Sequence, residues 1–318
     1  METIYIFFVI GFVVLIMGAK WLVEGAVSLG IRANLSPLVI GLTVVAFGTS
    51  LPELVINVFA SLKGSSDLAI GNVLGSNIMN IFFILGVTAI IFPINVERIS
   101  VRRDLPIGIF ATIFLFITAN GYFLGFENVI SRIDGIVLLI MFGLYLFMTL
   151  RSKNPIDPDM KIDTKIPESW LKTTVLLIAG LTGLYFGGEW VSEGALAVAK
   201  AMGLSESAVG LTIVAAATSL PELATSIVAA LKKNVGIVMG NILGSNIMNI
   251  LIVLGTSAII NPLDFNTKLN TEIGMLLLAN LGLFSLIHIG KGLHLSRREG
   301  VILTTVYIVF VWFSVVYN

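Results

Sequence analysis

Gly71-Asn72-Val73-Leu74-Gly75-Ser76-Asn77-Ile78-Met79-Asn80-Ile81 returns 169 residues later as Gly240-Asn241-Ile242-Leu243-Gly244-Ser245-Asn246-Ile247-Met248-Asn249-Ile250. Only Val73 against Ile242 differs. The same shift carries Thr49-Ser50-Leu51-Pro52-Glu53-Leu54 onto Thr218-Ser219-Leu220-Pro221-Glu222-Leu223, and Trp21, Glu24 and Gly25 onto Trp190, Glu193 and Gly194. It holds without a gap from Gly18 to Pro93. Self-similarity at one fixed shift marks a duplicated structural unit.

The solvent of that unit follows from composition. Hydrophobic residues make up 57% of the chain and charged ones 12%, against roughly a quarter charged in a soluble domain. Stretches such as Ile4–Met17 with its flanks and Ile107–Phe123 approach the ~20 apolar residues of a bilayer crossing. Hydropathy and helix breakers place ten spans, centred near residues 12, 48, 80, 114, 141, 180, 218, 248, 279 and 309. The expected fold is an all-α polytopic membrane protein with a first five-helix repeat over 1–150 and a second over 169–318. An odd number of spans per repeat inverts the second copy in the membrane, so an ion site on the pseudo-two-fold axis can open to either side in turn.

The connection from Arg151 to Glu168, with three prolines and mixed charges, reads as a solvated linker. Arg98, Arg102, Arg103, Lys232, Lys233, Arg297 and Arg298 fall on its side of the membrane, against Lys63, Arg132, Lys200 and Lys268 on the other. The positive-inside rule makes the linker cytoplasmic and puts both termini outside, in a multi-pass protein of the cell (inner) membrane with the lipid bilayer as partner. The Met-Glu-Thr start has no basic leader or small-residue cleavage site, so the first span reads as a retained helix. The chain has no cysteine, which excludes disulfides, thiolate metal sites and cysteine nucleophiles. Its formal net charge is zero, which gives no basis for nucleic-acid binding.

Glu53 and Glu222 lie in the middle of apolar spans, where an ionisable group costs at least ~2.5–3.5 kcal/mol and marks function by default. No Lys or Arg lies within nine residues of either; Lys63 and Lys232 fall toward the span ends. Pro52 and Pro221 precede the two glutamates; each lacks an N–H and clashes with the carbonyl four residues back, so each span should break there. The break directs carbonyl oxygens and the hydroxyls of Thr49, Ser50, Thr218 and Ser219 toward the carboxylates. Irregular backbone at that depth is tolerated only where it is buried in protein or lines a cavity. The glycines and asparagines of the eleven-residue motif permit a second break and close helix approach. Ser76 and Asn80, four apart, share a helix face and can join one oxygen site. Carboxylate, hydroxyl, amide and carbonyl oxygens without thiolate or imidazole suit a hard cation such as Ca2+, and disfavour Zn2+ or Cu. His288 and His294 lie away from the motifs.

On these paired motifs, Gly-Thr-Ser-Leu-Pro-Glu (Gly48–Glu53, with Ala217 in place of the glycine in the second copy) and Gly-Asn-x-x-Gly-Ser-Asn-x-x-Asn, the chain resembles the calcium/cation antiporter superfamily, specifically the prokaryotic sodium/calcium exchangers. The resemblance covers nearly the whole chain. It implies an ion-holding core of spans two, three, seven and eight, across which spans one and six slide. It also implies a ligand set of Glu53, Glu222, Thr49, Ser50, Thr218, Ser219, Ser76, Ser245, Asn80 and Asn249, with the backbone carbonyls of Ala46 and Ala215. Some exchangers with this pattern carry Asp where Asn249 stands, which leaves this site one ionisable group poorer. As an amide, Asn249 reads as a permanently neutral counterpart of an acid, ordering a water or an ion's second shell.

Two carboxylates balance one Ca2+ or two Na+ in a low-dielectric site. The expected function is therefore Ca2+/Na+ exchange by alternating access, with Ca2+ and Na+ as transported partners and no cofactor. A third Na+, implied by the resemblance, makes the exchange electrogenic, and an inward Na+ gradient drives Ca2+ out. Protonation of both glutamates neutralises the site equally well, so H+/Ca2+ antiport is the alternative. A Ca2+ channel would need an acidic ring or carbonyl filter, which nothing in the chain resembles. An enzyme would need a nucleophile–base pair, and none accompanies the carboxylates.

Overall fold

The computed structural model describes residues 2–121, 128–151, 169–201, 216–289 and 293–317, which are almost entirely helical. The linker after Arg151 and the carbonyl of Ala215 lie outside the described residues. Helix α1 covers Glu2–Ala33. Helices α2 (Pro37–Thr49) and α3 (Leu51–Leu62) form one path bent by 45°, and α4 runs over Ser66–Ile91. The first half continues with α5 (Leu105–Ala119) and α6 (Arg132–Arg151). In the second half α7 covers Trp170–Ala201, α8 Leu220–Leu231 and α9 Val235–Ile260, followed by α10 (Asn270–Ile289) and α11 (Arg297–Tyr317).

Six helical stretches among the described residues are long and apolar enough to cross a membrane, and the bent α2–α3 pair makes a seventh. Burial separates them into two kinds. Over their most apolar windows α9 is 94% buried and α4 72%, against 28–33% for the other four. The helices that carry the repeated motif are therefore the interior of the protein. The outer helices turn large apolar side chains outward, including Ile6 and Val13 on α1, Ile140 and Leu144 on α6, and Ile308 and Trp312 on α11, the surface a hydrocarbon solvent requires.

Helices α1 and α7 pack antiparallel along their length, from Gly11 beside Trp190 to Gly25 beside Leu177. A Cβ on Gly18 would stand 2.6 Å from the Leu184 nitrogen, so only glycine permits this approach. Gly240 does the same for α9 against α2, with its would-be Cβ 2.5 Å from the Leu38 carbonyl oxygen. Gly71, its counterpart, meets no neighbouring atom within 4 Å, so at this position close packing occurs in the second copy and not in the first.

Two short antiparallel ribbons join the halves. Strand β1 (Ile94–Asn95) pairs with β4 (His294–Leu295), and β2 (Val129–Ile130) with β3 (Leu263–Asp264). Backbone detail repeats at the sequence shift. Ser50 has φ −86° and ψ 7°, Ser219 φ −84° and ψ 3°. One expectation fails in form: the Gly-Asn-x-x-Gly-Ser-Asn stretch does not break. It stays α-helical to Met79 and Met248, then widens into a π turn at Asn80–Ile84 and Asn249–Leu254. The backbone remains hydrogen-bonded there, as an apolar surround demands, while the π turn re-aims the asparagines, a device common at functional sites.

Candidate ion-binding site

The interruption sits at Ser50 and Ser219, two residues before the prolines. Pro52 and Pro221 occupy the first turn of α3 and α8, where a missing N–H breaks no helical bond. Glu53 and Glu222 fall in the same first turns and are completely buried. A helix N-terminus carries partial positive charge, so each restart places a favourable dipole beneath an otherwise uncompensated carboxylate.

Glu222 takes one hydroxyl from each half. Ser50 Oγ donates to Glu222 Oε1 at 2.9 Å, and Ser245 Oγ donates to the same oxygen at 3.2 Å. The break thus serves the other repeat's carboxylate, and not its own as the local sequence suggests. Thr49 Oγ1 lies 3.0 Å from Asn241 Oδ1 and Thr218 Oγ1 lies 3.3 Å from Asn72 Oδ1, a matched pair of contacts across the halves. Asn241 Nδ2 donates in turn to Ser226 Oγ at 3.0 Å, and Asn72 Nδ2 to Asn57 Oδ1 at 2.7 Å. Ser76 and Thr218 hydroxyls are 3.3 Å apart and stand beside Glu53, yet neither Glu53 oxygen has a hydrogen-bond partner.

Thr49, Ser50, Glu53, Ser76, Asn80, Thr218, Ser219, Glu222, Ser245 and Asn249 are all at most 5% exposed. Of these, Ser50 and Ser245 meet at Glu222, Ser76 meets Thr218, and Thr49 and Ser245 hydroxyls lie 3.5 Å apart. The Ala46 carbonyl accepts the Ser50 N–H at 3.0 Å, and the Thr49 hydroxyl lies 3.3 Å away, so coordinating an ion there requires that hydroxyl to turn aside. Asn72, Asn241, Asn57 and Ser226 were not among the expected site residues. Their signal was a polar side chain facing into an apolar span, as Asn72 and Asn241 do within the motif itself.

Glu53 Oε1 and Oε2, Glu222 Oε2, Ser219 Oγ and the amide oxygens of Asn80 and Asn249 are buried without a partner. Leaving one such group unsatisfied costs about 1–3 kcal/mol, and more when it is charged. All six are oxygens able to accept, a donor set that suits a hard cation. A cavity of about 320 Å³ reaches this region, lined by Pro52, Val55, Glu189, Glu193, Thr218 and Pro221 among others.

Interrupted helices that bury paired carboxylates inside an apolar helical protein define a cation transporter of the membrane. The chain belongs to the sodium/calcium exchanger protein family, whose profile matches residues 3–151 and 172–316, and so to the calcium/cation antiporters. It is 33% identical to the inner membrane protein YrbG of Escherichia coli K12, over 97% of this chain and 95% of that one. It is 28% identical to the sodium/calcium exchanger MaX1 of Methanosarcina acetivorans, over 96% and 97%. The solved structure of the sodium–calcium exchanger NCX_Mj soaked with Na+ and Ca2+ superposes with a TM-score of 0.81 at 34% identity, covering 96% of this chain and 97% of that one.

Proposed function

We propose that this chain exchanges Ca2+ for Na+ across the cell (inner) membrane, extruding Ca2+ electrogenically on the inward Na+ gradient. The supporting observation is the shell of orphaned oxygens around Glu53 and Glu222. Two carboxylates make the cavity formally −2, matched by one Ca2+ or two Na+, and uncompensated charge in a low-dielectric site is expensive. The empty site therefore resists crossing between inward- and outward-facing states, whereas a filled one crosses. That makes exchange obligatory. The ligand set is Glu53, Glu222, Thr49, Ser50, Thr218, Ser219, Ser76, Ser245, Asn80 and Asn249, with the carbonyls of Ala46 and Ala215.

The topology that goes with this reading is ten spans in two inverted five-helix repeats, 1–150 and 169–318, with a cytoplasmic linker and both termini outside. A cysteine introduced at Ser152 should then be inaccessible to an impermeant thiol reagent in intact cells. For coupling, the decisive measurement is Ca2+ uptake into proteoliposomes with Na+ and pH gradients imposed separately. Uptake driven by an outward Na+ gradient alone, and responsive to membrane potential, is the expected result. Uptake that follows the pH gradient and ignores Na+ would make the chain an H+/Ca2+ antiporter.

A further inference from the structure

Four asparagines from α4 and α9 meet where the two halves touch, all at most 4% exposed. Asn77 Nδ2 donates to the backbone carbonyl of Asn246 at 3.1 Å, and Asn246 Nδ2 to the backbone carbonyl of Asn77 at 3.3 Å. On their other sides, Asn249 Nδ2 donates to Asn77 Oδ1 at 3.0 Å, and Asn80 Nδ2 to Asn246 Oδ1 at 2.9 Å. The oxygens of Asn80 and Asn249 have no partner.

Amide orientation is normally ambiguous, because oxygen and nitrogen are alike in size. Here the chemistry leaves one choice. A backbone carbonyl only accepts, so the NH2 group of Asn77 must face Asn246, and that of Asn246 must face Asn77. Each then presents its oxygen outward, and an oxygen needs a donor. Asn249 and Asn80 must turn their NH2 groups toward those oxygens, which forces their own oxygens the other way. The π turns that begin at Asn80 and Asn249 set both side chains at the start of this chain of constraints.

We infer that Asn77 and Asn246 are positioning residues that fix the amides of Asn80 and Asn249 with their oxygens toward the ion cavity. The inference rests on the reading of Asn80 and Asn249 as ion ligands. It replaces the picture of Asn249 as a neutral acid ordering water: one of its two N–H bonds is engaged by Asn77, which turns its neutral oxygen to the cavity. The cavity thus gains two oxygens for a hard cation with no added charge.

The test is Na+-driven Ca2+ uptake in proteoliposomes, with half-saturating Ca2+ and maximal rate measured separately. Asn77→Leu frees the Asn249 amide to rotate, and half-saturating Ca2+ should rise about tenfold while the maximal rate stays within about twofold. Asn77→Ser, a smaller polar side chain that offers no amide oxygen to Asn249, should shift it in the same direction and covers the case in which the leucine variant fails to fold. Because Asn77 acts through Asn249, adding Asn77→Leu or Asn77→Ser to Asn249→Leu should change half-saturating Ca2+ no further, whereas adding either to Asn80→Leu should multiply the two effects. Parent affinity in Asn77→Ser, or a fall in maximal rate alone, overturns the positioning role. A parent protein without Na+-driven Ca2+ uptake would instead overturn the proposed function.

Discussion

Residues matched by the repeat stand in unmatched states. Glu24 and Lys232 form an ion pair at 2.8 Å that ties α1 to the end of α8. The shift of 169 residues maps them onto Glu193 and Lys63, which make no ion pair among the described residues; Glu193 lines the cavity that reaches Thr218. The same split runs inside the site. Glu222 receives two hydroxyl bonds, from Ser50 and Ser245, whereas both Glu53 oxygens and the Ser219 hydroxyl are unpartnered. A gapless repeat has no local reason to differ at so many equivalent points together. Under the proposed inverted-repeat topology, one conformational asymmetry accounts for them: access open beside Glu193 and closed beside Glu24, with an exchanged arrangement of comparable energy in which the halves trade roles.

The largest expected effect ignores this asymmetry. Glu53→Gln and Glu222→Gln each remove half of the compensating charge, so each should lower Na+-driven Ca2+ uptake at least about a hundredfold. Both should remain folded in the membrane, because an uncharged amide is cheaper to bury than a carboxylate. Normal uptake by either variant, in protein that purifies and melts like the parent, would remove that glutamate from the site.

How much of this was legible in the sequence depends on which interactions are local. Pro52 and Pro221 announce the interruptions because a missing N–H acts within one helical turn, and Glu53 and Glu222 stand out because membrane burial of a charge is costly wherever it occurs. The exact point of interruption, at Ser50 and Ser219, already depends on how the helix restarts. Cross-half contacts were not legible. Ser50 and Ser219 occupy equivalent positions in nearly identical motifs, so nothing in the residues says which hydroxyl serves which carboxylate; that depends on how the repeats dock. The role of Asn77 and Asn246 was hidden for the same reason. Within one helix they read as helix weakeners, and only the second half supplies the carbonyls that orient them. That Glu24 pairs with Lys232 while Glu193 and Lys63 make no ion pair among the described residues could not be read either, since the two pairs are of the same residue types.

A smaller, directional effect tests whether the asymmetry is one of state. Removing the Ser50 hydroxyl takes from Glu222 a bond worth roughly 1.5–3 kcal/mol when the acceptor is charged. Ser50→Ala should therefore disfavour the present arrangement, and Ser219→Ala the exchanged one. The chain has no cysteine, so a cysteine at Ser192, which lines the cavity beside Glu193, reports opening of that mouth through its rate of reaction with an impermeant thiol reagent. Ser50→Ala should slow labelling about tenfold or more, and Ser219→Ala should leave it unchanged or raise it. Equal slowing by both would mean that the two hydroxyls act as ion ligands without bias between states.

The smallest expected effect belongs to the ion pair between Glu24 and Lys232. The Lys232 and Glu24 side chains are 24% and 31% exposed, and exposed pairs contribute at most about 1 kcal/mol, enough to shift a two-state balance by about fivefold. Lys232→Met keeps the apolar stem and removes the charge, which separates electrostatics from packing. Losing the pair disfavours the arrangement in which it exists, so labelling at position 192 should slow by up to that factor. Lys63→Met should do the reverse if Lys63 meets Glu193 in the exchanged arrangement. Salt discriminates further: the screening length falls from about 10 Å at 0.1 M to about 3 Å at 1 M, so the difference between Lys232→Met and its parent should shrink as ionic strength rises, while the effect of Ser50→Ala, at a completely buried carboxylate, should persist. A Lys232→Met protein that labels like the parent at low salt would reduce the Glu24 contact to a surface pair with no part in holding the mouth closed, and the bias between the two states would then have to come from the hydroxyls around Glu222 alone.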